Sequence, residues 1–157
     1  EFIQQSGIVT AMVGLLQAIP GTKLHQRLNL QGRLIGRTTG NNLDGTTNFI
    51  PRMNRETLLE GYRNLMGHLY APRPYYQRIR TFLREYAPPK IASPPSWRYV
   101  MAFLLANVRL GIVGRERFQY WGLLIWTLCH RPSHLPLAVG LSIYGHHFRK
   151  TSRVLGL

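Results

Sequence analysis

At 157 residues the chain has room for one ordinary domain or two small units with a core. Its 20 Lys+Arg against 6 Asp+Glu give a formal net charge of +14, a balance that calls for nucleic acid, an anionic membrane surface, an acidic partner or acidic protein elsewhere in the same polypeptide. Cys129 is the only cysteine, which excludes an internal disulfide framework and any cysteine-ligated iron–sulfur cluster or structural zinc site built from this segment alone, and fits a reducing cytosol.

Residues 1–7 read as the last turn of a helix with Gly7 at its left-handed exit. The nearly all-apolar run over residues 8–16 predicts a strand buried on both faces, and Pro20-Gly21 breaks the chain before a helix capped by Thr22 and carrying Leu24 and Leu28. A lone strand between helices needs neighbours for its backbone groups, so the sequence reads as the tail of a larger enzyme. Composition divides the chain into residues 1–31, 32–86, a proline-rich linker at 87–95, and a basic, apolar helical region at 96–157.

Asn54 is the expected N-cap of an amphipathic helix whose apolar positions are Leu58, Leu59, Tyr62, Leu65, Met66 and Leu69. A second is expected from Pro74, with Tyr75, Ile79, Phe82, Leu83 and Tyr86 on one side and Arg78, Arg80 and Arg84 outside that stripe. Beyond the linker, Ser96 can cap a helix with Trp97, Val100, Met101, Leu104, Leu105 and Val108 in register. Further helices are expected over residues 115–129 and from Pro132 to near Lys150. None holds the roughly 20 uninterrupted apolar residues of a membrane span.

The loop over residues 38–48 is dense in residues that make local turns, and it offers Asn41, Asn42, Asp44, Thr46, Thr47 and Asn48 either as a substrate or interdomain loop or as a stack of Asx and Thr turns. Glu56 and Glu60 stand one helical turn apart, where Arg63 explains them as a solvated salt-bridged face ahead of an acid/base pair of carboxylates. Cys129, His130, His134, His146 and His147 resemble a ligand set when gathered together. Pro132 separates them and the last two are adjacent, so no metal site is expected. Tyr70, Tyr75, Tyr76 and Tyr86 suit a core at helical spacing better than base stacking, which leaves nucleic acid behind other partners. Arg149, Lys150 and Arg153, beside apolar helices and interface-suited aromatics, mark an expected membrane or anion surface, with packing of these helices on the rest of a larger polypeptide as the equal alternative.

Residues 11–22 (AMVGLLQAIPGT) are similar to the end of the radical S-adenosylmethionine barrel in the cobalamin-binding radical enzymes. Residues 40–51 (GNNLDGTTNFIP), with 59–63, 69–72 and 75–83, resemble the domain of unknown function that follows that barrel in one branch of the family. The resemblance implies a mainly α chain, with one strand from the end of a partial α/β barrel followed by an α-helical extension. It implies a parent using S-adenosylmethionine, a four-iron–four-sulfur cluster and cobalamin, often for methylation of unactivated carbon. The cysteine triplet and cobalamin module of that family are absent from this chain, so no cofactor is expected in the segment alone. By position Leu16, Gln17 and Ala18 would lie near the adenine of the cofactor, or would simply close the barrel core. The implied role is to close the barrel and shape the substrate site, with the N-terminal remainder of the same polypeptide as partner. The alternatives are a membrane-surface or lipid-docking module and an RNA-binding tail, and the expected location is cytoplasmic, either free or peripheral to the inner face of the membrane.

Overall fold

The computed structural model describes residues 2–41, 44–87 and 97–154, less the side chains of Arg98, Tyr99, Arg153 and Val154. Its helices are α1 Phe2–Gln5, α2 Lys23–Leu30, α3 Arg55–Leu69, α4 Pro72–Glu85, α5 Trp97–Ala106, α6 Arg117–His130 and α7 Leu135–Val154. A π-helical stretch, Asn107–Val113, continues α5, and a short 3-10 turn, Pro132–His134, precedes α7. The chain forms two compact units, Glu1–Ala11 with Leu69–Lys150, and Met12–His68 with Thr151–Leu157. Among the described residues no helix is long and apolar enough to cross a membrane.

The mainly helical character follows the sequence, but the strand expected over residues 8–16 is not formed. Among the described residues the run is irregular and has no ladder. The hydrogen bonds its backbone takes from side chains replace part of a ladder: Tyr70 OH donates to Ala11 O at 2.6 Å in the first unit, and Tyr62 OH to Val13 O at 3.0 Å in the second. The strand-type pairing that does occur is one antiparallel bridge between Leu34 and Phe49.

In the second unit both predicted caps are present. Thr22 Oγ1 accepts the His25 N–H at 3.2 Å, and Asn54 Oδ1 accepts the Glu56 N–H at 2.7 Å, each satisfying a first-turn donor that the helix itself leaves open. Leu28, Tyr62 and Met66 are buried here.

The first unit is built on α4, α6 and α7, with Tyr75, Ile79, Leu83, Tyr120, Leu123 and Ala138 fully enclosed. Helix α4 starts two residues before the expected Pro74, because Pro72 takes the first-turn position while Tyr75 N–H bonds Ala71 O at 3.1 Å. Arg78 departs further from expectation. Instead of standing outside the apolar stripe it is buried, its Nη2 donating to Leu69 O at the end of α3 and its Nη1 to Gln4 Oε1 at 3.0 Å. A guanidinium can be enclosed when it caps the open carbonyls of a helix C-terminus in this way.

Helix α5 forms with the apolar register expected of it. Val100, Met101, Leu104, Leu105 and Val108 are in helical register yet exposed, and among the described side chains of the helix Ala106 is the one buried. The element that α5 chiefly meets is the π-helical stretch that continues it. That stretch packs on α6 through Trp121, whose Nε1 donates to Gly111 O at 3.0 Å; a Cβ on Gly111 would stand 3.0 Å from the same nitrogen. Tyr120 OH donates to Asn107 Oδ1 at 3.2 Å. The Ser96 cap and the linker beyond Ala87 lie outside the described residues.

Candidate functional site

The two segments singled out by sequence, residues 16–18 and the loop that follows Thr38, meet in the second unit. Asn48 is buried, and its side-chain amide treats Ala18 as a neighbouring peptide would. Its Oδ1 accepts the Ala18 N–H at 2.7 Å, and its Nδ2 donates to Ala18 O at 3.0 Å. The backbone of Asn48 also accepts the Ile35 N–H at 2.9 Å, which places the side chain by way of the Leu34–Phe49 bridge. Gln17 is the second anchor. Its Nε2 donates to Thr39 Oγ1 at 3.0 Å and to Thr46 Oγ1 at 3.3 Å, while its Oε1 accepts from Thr38 Oγ1 and from Thr39 N at 3.1 Å. Thr47 Oγ1 donates to Leu16 O at 2.9 Å.

Asp44 organises the loop side of the cluster, accepting Thr39 Oγ1 and Thr46 Oγ1 at 2.7 Å each and Thr46 N at 2.9 Å. The Thr39 hydroxyl above all, then the Thr46 hydroxyl and N–H, hold its carboxyl below the ordinary aspartate range. Asn41 N donates to Thr39 Oγ1 at 3.3 Å, and Asn42 lies outside the described residues. Two clefts border Gln17. One of about 170 Å³ involves Arg37, Thr39 and Asn48, and one of about 450 Å³ involves Met12, Leu16, Ile19 and Thr38.

This geometry makes the loop a clamp on residues 16–18. Leu16 O, Ala18 N and Ala18 O each hold one side-chain partner in this clamp. Replacement of Asn48 by aspartate keeps the acceptor for Ala18 N–H but sets a carboxylate oxygen against Ala18 O. A loss of roughly 1–3 kcal/mol is expected for a buried group left without its partner, read as a lower chemical-denaturation midpoint than for wild type.

The remaining candidates are scattered. Cys129 is exposed. His130 Nδ1 lies 2.9 Å from Trp126 O and its ring stacks on that indole, while buried His134 places Nε2 3.1 Å from Tyr86 O. His146 Nδ1 lies 2.9 Å from Glu116 Oε1. No group of three or more His, Cys, Asp or Glu among the described residues could hold a metal ion.

Arg149, one of the residues expected at an anion surface, is mostly covered in the first unit, its Nη2 donating to Glu116 Oε1 at 2.6 Å and its Nη1 to Tyr70 O at 3.4 Å. Lys150 is exposed, and the Arg153 side chain lies outside the described residues. Burial alone would push the Glu116 carboxyl up, but the hydrogen bonds from His146 and Arg149 and the charge of Arg149 hold it below the ordinary range.

The family described as Domain of unknown function (DUF4070) matches residues 22–155. The chain belongs to the DUF4070 family. This DUF4070 chain is 32% identical over 153 residues to the "Uncharacterized methyltransferase sll1242" of Synechocystis sp. (strain ATCC 27184 / PCC 6803 / Kazusa). The similarity covers 94% of the chain and 28% of that protein, so the DUF4070 chain spans under a third of the relative's length. No solved structure matches it.

Thr38 and Thr39 were not among the predicted site residues of the DUF4070 chain, although they sit in the same turn-forming loop and complete the shell around Gln17. The Glu116–Arg149–His146 cluster was also missed. Its signal was present: Glu116 is the single acid after residue 96, and a lone acid among arginines is a ready ion-pair partner.

Proposed function

We propose that this chain is the C-terminal segment of a cobalamin-dependent radical S-adenosylmethionine enzyme, a methyltransferase or related radical catalyst, in which it closes the barrel and shapes the substrate site. The observation that carries the reading is the 32% identity over nearly the whole chain to a much longer protein named as a methyltransferase. The clamp between residues 16–18 and the Asp44–Asn48 loop supports it, because it ties a family-specific loop to the segment that resembles the end of the barrel. With Cys129 as the only cysteine, the cluster, the cobalamin and the S-adenosylmethionine are assigned to the remainder of the polypeptide, the partner of this segment. The role of the chain's own residues is then to hold the loop in place and keep water from the Gln17 and Asn48 amides.

Anaerobic reconstitution with iron and sulfide tests the assignment. A polypeptide extended upstream through a cysteine triplet of spacing three then two is expected to form 5′-deoxyadenosine from S-adenosylmethionine. The chain alone is expected to form none and to bind no cluster. Cleavage by the chain alone, or a stop codon and start site immediately before Glu1, would overturn the proposal.

A further inference from the structure

The first unit leaves two adjoining surfaces unexplained. Along α4, Arg73, Gln77, Arg80 and Arg84 recur at offsets of four, three and four, which is one helical face. None of the three arginines has an ion pair among the described residues, and Glu85, the carboxylate of this helix, falls off that face. Arg73, Gln77 and Arg80 join Phe118 and Gln119 of α6 around a cleft of about 310 Å³. Arg80 also borders a second cleft, of about 410 Å³, with Gln4 and Arg84. Arg80 Nε and Gln119 Oε1 are enclosed there without any hydrogen-bond partner. Buried polar atoms are ordinarily paired, so an unpaired guanidinium nitrogen beside a cationic cleft points to an oxyanion as the missing partner.

The second surface starts at a residue of the first. Phe118 borders the cleft and opens an apolar stripe on α6 that continues through Trp121, Ile125 and Leu128, at offsets of three, four and three. The stripe is bare: Phe118 is 75% exposed and Ile125 58%. Trp121 brings it alongside the π-helical stretch, where Val108, Ile112 and Val113 are exposed, as are Leu104 and Leu105 of α5. A helix that is apolar all round is normally covered, and a contiguous apolar patch of this kind marks an interaction site. Charge identifies what covers it. Arg109 on the π-helical stretch, Arg115 in the turn after it and Arg117 at the start of α6 are exposed, whereas the acid beside them, Glu116, is enclosed and paired with Arg149. The face is thus apolar with a wholly cationic fringe, and exposed Trp97 and Trp121 suit the boundary between hydrocarbon and headgroups.

We propose that this face docks on an anionic phospholipid bilayer, with the Arg73–Gln77–Arg80 side of the cleft holding a lipid phosphate while the α6 stripe and α5 lie in the acyl boundary. The attachment is interfacial, since no helix among the described residues can span.

Flotation of the full chain with vesicles tests it, using phosphatidylglycerol mixed with phosphatidylcholine against phosphatidylcholine alone. Binding is expected only to the anionic vesicles and is expected to weaken with added salt. Arg73→Gln is expected to weaken it about fivefold, the effect of one basic residue at such a surface. Ile125→Ser is expected to abolish most of it. Both side chains are exposed, and circular dichroism confirms that each variant folds. Equal binding to neutral vesicles, no binding at low salt, or anionic binding indifferent to either substitution would each overturn the proposal. So would self-association that Ile125→Ser abolishes without vesicle binding, which gives the stripe to a second copy, or RNA binding that displaces the vesicles.

Discussion

Glu116→Ala is expected to destabilise the first unit by about 3–5 kcal/mol, because it leaves Arg149 enclosed without a counter-charge. Arg149 also touches Tyr70 O and stands 5.8 Å over the Tyr75 ring, so it cannot simply swing into water without opening the core. Glu116→Gln keeps the shape and one acceptor but removes the charge, and should lie between alanine and wild type. The pH dependence has a definite sign. The folded carboxyl sits below its ordinary value, so its contribution is complete above the unfolded value of about 4.3 and is lost as pH falls through the lower folded value. The stability gap between wild type and Glu116→Gln should therefore be constant near neutrality and close in acid. Urea denaturation of both proteins across pH measures it; a gap that widened on acidification would contradict the ion-pair account.

A second large effect is expected at Gly145, where the usual helix rule reverses. Alanine for glycine inside a helix ordinarily stabilises by roughly 0.5–1 kcal/mol. At Gly145 the added Cβ would run into Tyr75 Cε1, and Tyr75 cannot retreat. Its ring is fully enclosed and its hydroxyl donates to Leu141 O at 2.8 Å. Gly145→Ala is expected to cost about 3 kcal/mol, at the upper end of overpacking effects. Gly140, on the same helix with nothing within 4 Å of its would-be Cβ, is the control, and Gly140→Ala should be neutral or slightly stabilising. Thermal unfolding of the two variants side by side separates packing from propensity.

What could be read from the sequence was local. The Thr22 and Asn54 caps bond N–H groups two or three residues away, so residue type and position contain the whole interaction. What failed was decided at a distance. Arg78 is buried because Gln4 and the Leu69 carbonyl receive it, and helical spacing on α4 holds no trace of either. On α5 the periodicity identifies an apolar face but not what stands opposite it, and the stripe lies exposed. The site was half legible. Residues 16–18 and 41–48 drew notice separately, for resemblance and for turn chemistry, while the Asn48–Ala18 pairing joins residues thirty positions apart, a register that composition does not encode.

The Asn48 clamp bears on how such a domain is delimited. The family match begins at residue 22, four residues past Ala18. A polypeptide cut at that boundary would keep Asn48, Thr38, Thr39 and Thr46 and discard Gln17 and Ala18, the groups they bond. The excised piece would contain every helix from α2 onward and still have a hole where two amides belong, so the unit defined by similarity is smaller than the unit that closes its own hydrogen bonds.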